Sequence, residues 1–301
     1  MDATETPTLV YFDTNVFDNL VKKTGGVKPE DESLLRDAVS SRSLIVLASH
    51  VTIRETIAAL SSRPEIARDQ LRLMVELADW DRFVRFHSAI LEDDLRHFAF
   101  NGEQANTPFE SNQNAANIRA TLERVIEDPT LTSTLANVLN EDRQQKQEFL
   151  HDVQNARAET EEKPQEFRKQ GNVPTFEEWF KDSAEQWVLP FIKSYGVAEE
   201  CQRRGLDKLM KIPSVWGTVG VGMSFVYRTA IEGKSSRSSA RRDLQHVTCA
   251  AAAADIFVTQ DEELNLLVSR VPSRRIRVMN LRQLRRRLRR LRLFRVRRVG
   301  R

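Results

Sequence analysis

The stretch that decides the fold is Arg241–Leu264, RRDLQHVTCAAAAADIFVTQDEEL. Two periodicities meet in it. Leu244, Val247, Ala251 and Ala254 recur three to four residues apart, the spacing of a helix with one apolar face, and Asp243 stands at its opening. Ile256 to Thr259 is β-branched and aromatic and too short for a helix, so 255–259 reads as a buried strand. Asp261 follows in the turn. A helix that opens on one carboxylate and a strand followed by another are where α/β proteins aim side chains into a cleft.

Outward from that stretch the same alternation repeats. Short apolar runs at 8–12, 44–48 and 275–279 read as further strands. Helical patterns cover 16–23, 31–40, 51–60, 262–269 and 281–293, with Ser49 placed to cap the third. Strands alternating with helices predict an α/β fold, a parallel sheet flanked by helices on both sides. Between Ser61 and Lys234 no strand is apparent, and helices are expected at 65–79, 84–98, 114–127, 131–158, 175–195, 197–210 and 215–231. The expected organisation is therefore a sheet domain from 1–60 and 236–301, including an Arg-rich C-terminal helix, interrupted by an all-helical insertion at 61–235. Trp80, Phe83 and Phe86, and Trp179, Phe180 and Trp187, read as core. Glu232–Arg242 reads as a polar, basic loop entering the Asp243 helix.

Charge is distributed unevenly. All 43 acidic residues precede Asn265, whereas residues 265–301 carry 15 of the 46 basic ones. An acidic body with a basic end points to a nucleic acid, an acidic protein or a membrane surface as partner for that end. Two cysteines, Cys201 and Cys249, without CxxC spacing or nearby histidine pairs argue against a disulfide framework or zinc site and favour a reducing compartment. The N-terminus has no signal-peptide pattern, and no apolar run approaches the ~18 residues of a transmembrane segment, so a cytoplasmic location is expected.

The carboxylates carry the chemistry. Asp13 follows strand one, Glu55 lies on the helix after strand two, and Asp261 follows strand three. The direction of Asp243 is left open by propensity, and periodicity alone would expose Glu55. Acids gathered at one end of a parallel sheet repel one another unless a cation is present. Without a histidine or cysteine ligand set, hard oxygen donors select Mg²⁺ or Mn²⁺. His246, three residues after Asp243, shares its helix face and is either a substrate contact or a plain surface histidine. Arg54 and Arg242 flank two of the acids and either bind phosphate or balance charge.

The order and spacing of these residues resemble the PIN-domain ribonucleases. The matching positions are Asp13 in FDTNVF, Glu55 after the second strand, Asp243 in RDLQHVTCAAAA, and Asp261 in DIFVTQDEEL with Thr259 two residues before it. The resemblance implies an Mg²⁺- or Mn²⁺-dependent endoribonuclease in which Asp13, Glu55, Asp243 and Asp261 hold metal and are catalytic. Asn15 and Thr259 match supporting positions. It further implies RNA as substrate; by charge and position, Arg54, Arg241, Arg242, His246, Arg285, Arg286 and Arg289 are the candidate nucleic-acid contacts. A homodimer, an antitoxin or other regulatory partner, and a role as toxin or antiphage-defence effector are the family's habits. A haloacid-dehalogenase-type hydrolase would want a second acid where Asn15 stands, and no phosphate-binding glycine motif is present. The rival from another class is a non-catalytic RNA-binding or assembly protein acting through the Arg-rich helix.

Overall fold

The computed structural model describes residues 6–105, 107–128, 131, 173–234, 239–272 and 275–299, with side chains described through residue 290. Its centre is a four-stranded, wholly parallel sheet in the order β2-β1-β3-β4, formed by β1 (Thr8–Phe12), β2 (Leu44–Leu47), β3 (Ile256–Val258) and β4 (Arg277–Met279). Val10, Tyr11 and Phe12 pair with Ile256, Phe257 and Val258, so the first and third strands are the central pair. The chain leaves β1 toward one edge and returns to β3 on the other side. This reversal opens a crevice beyond the carboxyl ends of β1 and β3.

Both faces of the sheet are covered, as unbroken apolar strands such as Leu44–Leu47 require. On one face Val10, Phe12, Val46 and Val258 share a core with α1 (Thr14–Lys22), α2 (Pro29–Ser40), α3 (His50–Ala59) and α4 (Pro64–Leu77). On the other, Tyr11, Leu47 and Phe257 meet residues of later helices, among them Val247, Ala250 and Leu264. The helical insertion continues with α5 (His87–Asn101), α6 (Asn112–Glu127), α7 (Phe176–Ser194), α8 (Ala198–Arg204), α9 (Leu206–Leu209), α10 (Pro213–Val215) and α11 (Val221–Ala230). Part of it builds a third core from Leu95, Phe98, Val188, Ile192 and Cys201. Residues of α4 and α6 instead join the sheet's own core, so packing is continuous across the 60/61 boundary.

The expected elements recur with instructive differences. The helix expected at 197–210 is interrupted at Gly205, whose φ of +103° no other residue adopts cheaply. A π-helical stretch, Trp216–Gly220, joins α10 to α11 and lies on α12 (Ala240–Ala253). A Cβ on Gly217 would come within 3.0 Å of the Thr248 Cα, so only glycine lets these two helices approach so closely. The helix expected to open at Asp243 begins at Ala240, which shortens the basic loop and puts Asp243 inside the first turn. Phe86 and Trp187, expected in the core, remain 38% and 42% exposed, whereas Trp80 and Phe83 are buried. The helix expected at 131–158 lies outside the described residues apart from Leu131.

The chain closes with α13 (Glu262–Ser269), β4 and α14 (Leu281–Val299). Leu281, Leu284 and Leu288 are buried against the sheet. Arg285 departs from the expected nucleic-acid contact: its guanidinium is buried, paired with both carboxylate oxygens of Asp31 and donating to the Gly26 carbonyl at 2.8 Å. The reason is steric register, since position 285 falls beside the leucine stripe rather than opposite it. Arg289 pairs with Glu30 at 2.6 Å on the exposed side, and Arg286 is exposed. Removing Asp31 strands a buried cation. Asp31→Ala is therefore expected to lower unfolding stability by about 3–5 kcal/mol in denaturant titration, with Asp31→Ala/Arg285→Leu regaining most of the loss.

Candidate metal centre

Asp13 is delivered by the end of β1, where its backbone N–H still donates to Val258 O at 3.0 Å. It occupies the N-cap position of α1 but makes no side-chain cap, so its carboxylate is not spent on the helix. Instead Asp13 Oδ2 accepts from Asn15 Nδ2 at 2.6 Å and from Thr259 Oγ1 at 2.8 Å. Thr259 stands at the end of β3, and Asn15 also donates to it at 3.3 Å. Asn15 Oδ1 meanwhile accepts from the Gln260 N–H at 3.1 Å. The two polar residues thus lock the ends of the central strands together around one acid.

Glu55 comes from α3, whose first turn is fixed by Ser49 accepting from the Thr52 N–H at 3.2 Å. Its side chain is only 17% exposed and turns inward, unlike the exposed position that periodicity suggests. Thr14 Oγ1 and His246 Nε2 both donate to Glu55 Oε2, the latter over 2.8 Å, and Arg242 Nε lies 3.5 Å from Oε1. His246 corrects the surface reading outright. It is 1% exposed, 3.7 Å from Asp13 Oδ1 through the same Nε2, with Nδ1 at 2.9 Å from the Tyr11 hydroxyl. Tyr11 reaches on to Ser49 Oγ at 2.6 Å.

The three ligand-type groups Asp13, Glu55 and His246 offer atoms that all lie within 4.8 Å of one another. Asp243 borders this group: its pKa is raised to about 7 by burial and then by the charge of Asp13, with Asp261 adding to it. Ser239 Oγ donates to Asp243 Oδ2 at 3.0 Å. Asp261 caps α13, its Oδ1 accepting from the N–H groups of Glu263 at 2.9 Å and Leu264 at 3.0 Å. Asp255, by contrast, is spent within the sheet on the Leu9 N–H at 2.8 Å.

Electrostatics follow from this crowding. Burial alone would neutralise His246, but Glu55, Asp13 and Asp243 outweigh it and raise the imidazole pKa to about 9. Burial likewise would raise the Glu55 carboxyl, yet the facing imidazolium, with Thr14 and Arg242, lowers it to about 2. Asp13 stays raised, by burial first and by Glu55, against the opposing pull of His246. The His246 imidazolium accordingly bridges two carboxylates, and a third, Asp243, is left undercompensated. The oxygen donors of such a site fit a divalent cation, since burial and the neighbouring acids leave Asp13 and Asp243 undercompensated, and His246 would join them as a ligand only after giving up its Nε2 proton.

The sequence carries no sign of Tyr11 or Thr14 at the site, and it suggests His246 as a substrate contact or surface histidine rather than as a partner of the acids. The usable signal for His246 lies downstream of it: the run VTCAAAA offers no charged face, and all of it but the half-buried Ala252 is buried, so a histidine at its start is drawn inward. Among the arginines expected to meet nucleic acid, Arg54, Arg241 and Arg242 line a cavity beside Glu55. The chain matches no protein-family model, no curated protein and no solved structure at a significant level.

A carboxyl whose folded pKa lies above its unfolded value costs stability once the pH exceeds the unfolded value, and the cost is complete above the folded value. For Asp243 that window runs from its ordinary 3.8 to about 7. Asp243→Asn is therefore expected to raise the Tm of metal-free protein at pH 8 by several degrees, at about 2–4 °C per kcal/mol relieved. The gain should shrink steadily toward pH 4, as measured by calorimetry in EDTA.

Proposed function

We propose that the protein is a divalent-metal-dependent endoribonuclease of the PIN type, with Mg²⁺ or Mn²⁺ held by Asp13, Glu55, Asp243 and Asp261. The observation that carries the reading is the convergence of Asp13, Glu55 and His246 within 4.8 Å at the carboxyl end of a parallel sheet, with Asp243 beside them. A small parallel sheet flanked by helices with such a cluster is consistent with a PIN-like fold.

When bound, a divalent ion supplies an acidified water and neutralises charge on the phosphodiester under attack. The chain's own residues prepare the place. Asn15 and Thr259 fix Asp13 through Oδ2, leaving Oδ1 on the side of His246. Thr14 and His246 fix Glu55 through Oε2, and Tyr11 holds His246 from behind. Such outer partners orient ligands and set their basicity. The carboxylate donors suit Mg²⁺ and Mn²⁺ alike. The role that accompanies this reading is that of a toxin or antiphage-defence effector in the cytoplasm, restrained by an antitoxin or other protein partner.

A second reading has its own observation. Arg282, Arg286, Arg289 and Arg290 are exposed on α14 while its leucines are buried, a cationic face suited to binding RNA without cleaving it. One experiment separates the two. Purified protein is incubated with total cellular RNA in Mn²⁺ and in EDTA, alongside Asp13→Asn. Discrete fragments that require metal and vanish in Asp13→Asn are expected, with Thr259→Val slowed about 10–100-fold. Salt-sensitive RNA binding shared by both proteins, with no fragments even in Mn²⁺, would favour the binding module.

A further inference from the structure

Beside the acidic cluster, and sharing Glu55 with it, lies a cavity of about 350 Å³ of the opposite character. Arg54, Arg241 and Arg242 line it, and Glu55 is the one acid among its lining residues. Its volume is within the ~300–1,000 Å³ of ligand sites. Two helices begin at its wall. Phe86 is the N-cap of α5 and supplies no side-chain cap, and Ser239, the N-cap of α12, supplies none either. The first turns of both helices, carrying His87 and Ser88 on α5 and Arg241 and Arg242 on α12, line the cavity. Peptide dipoles therefore add to the positive charge of the guanidinium groups.

Two further details point to a ligand. His87 Nδ1 is buried with no hydrogen-bond partner among the described residues. The imidazole is held neutral, its pKa lowered to about 4 by burial and then by Arg241, His246 and Arg54, so one ring nitrogen carries a proton to donate. Phe86, meanwhile, lies flat on His50, with ring centroids 4.0 Å apart, and keeps 38% of its surface in solvent. A cationic pocket with an aromatic at its edge is the pairing that single-stranded nucleic acid requires, phosphate in the pocket and base on the ring.

We infer that this cavity is a phosphate subsite for single-stranded nucleic acid, in which Arg54, Arg241 and His87 hold a phosphodiester flanking the one presented to the acids and Phe86 stacks the adjoining base. Arg242 marks the divide, because its Nε is 3.5 Å from Glu55 Oε1 and it lines the cavity as well. The strand thus meets acids on one side of Glu55 and arginines on the other. The choice of nucleic acid rests on the nuclease reading; occupancy of the subsite itself needs neither metal nor cleavage.

The test is fluorescence anisotropy of a labelled single-stranded oligothymidylate of 12 nucleotides with the full chain in EDTA, across a salt series. Arg54→Gln/Arg241→Gln is expected to weaken binding at least about tenfold and to reduce the salt slope by about 0.7, the value for one lost phosphate contact. Phe86→Ala should lose about tenfold with the slope unchanged, and Phe86→Tyr should restore it. Circular dichroism and Tm confirm that each variant is folded. Unchanged binding by the arginine pair overturns the inference. So does a loss confined to Arg282→Gln/Arg286→Gln/Arg290→Gln, which would place the site on α14. Competition by polyglutamate equal to that by unlabelled oligonucleotide also overturns it, assigning the cavity to acidic protein. Loss of binding in the pocket variants of a protein that never cleaves RNA would sink the nuclease reading and leave this one standing.

Discussion

The contact between the His246 imidazolium and the Glu55 carboxylate ties together three parts of the chain that share no local sequence. Asp13 arrives on the central strand, Glu55 on the helix after the edge strand, and His246 on a helix formed nearly two hundred residues later. Buried charges persist only when paired and hydrogen-bonded, so the position of α12 against the sheet is specified by charge as well as by apolar packing. Gly217 supplies the steric side of that requirement, admitting the π-helical stretch close enough to hold α12 in place. A site that must keep several acids together has thereby recruited the insertion as its mechanical support.

The insertion also reaches the surroundings of the acids. Phe86, His87 and Ser88 lie on or just before α5, between the first sheet half and the second in sequence, yet they form one wall of the cavity next to Glu55. The opposite wall is the start of α12. Charge is partitioned across a few ångströms, with carboxylates gathered at the strand ends and guanidinium groups at the helix starts. A polyanion passing over this boundary would meet cations holding one phosphate and acids that need a metal to receive the next.

The architecture was legible in the sequence because parallel strands and their covering helices leave strong local signatures. The four strands fall where apolar β-branched runs place them, and their alternation with helices predicts that they run parallel, though not their order in the sheet. The convergence of Asp13 and Glu55 was also anticipated, from their positions after successive strands. What escaped was set by tertiary contacts rather than by pattern. Glu55 looks exposed on its helix until α12 is laid across it, and His246 looks superficial until the alanine run after it is seen to be buried. Arg285 differs from Arg286 by a single step around α14, enough to exchange solvent for Asp31. Phe86 reads as core because aromatic residues usually are, although here it stands just before α5, without capping it, at the rim of a cavity.

The Tyr11 hydroxyl touches both His246 and Ser49, and Ser49 is the cap of the helix that bears Glu55. The start of α3 and the orientation of the imidazole are consequently parts of one hydrogen-bonded chain buried under the sheet. Changes there would be felt at Glu55 and His246 at once, at one through helix geometry and at the other through the ring. Drift in such a lineage should proceed by paired replacements, with positions 11, 49 and 246 exchanging partners together while the surrounding apolar residues vary one at a time.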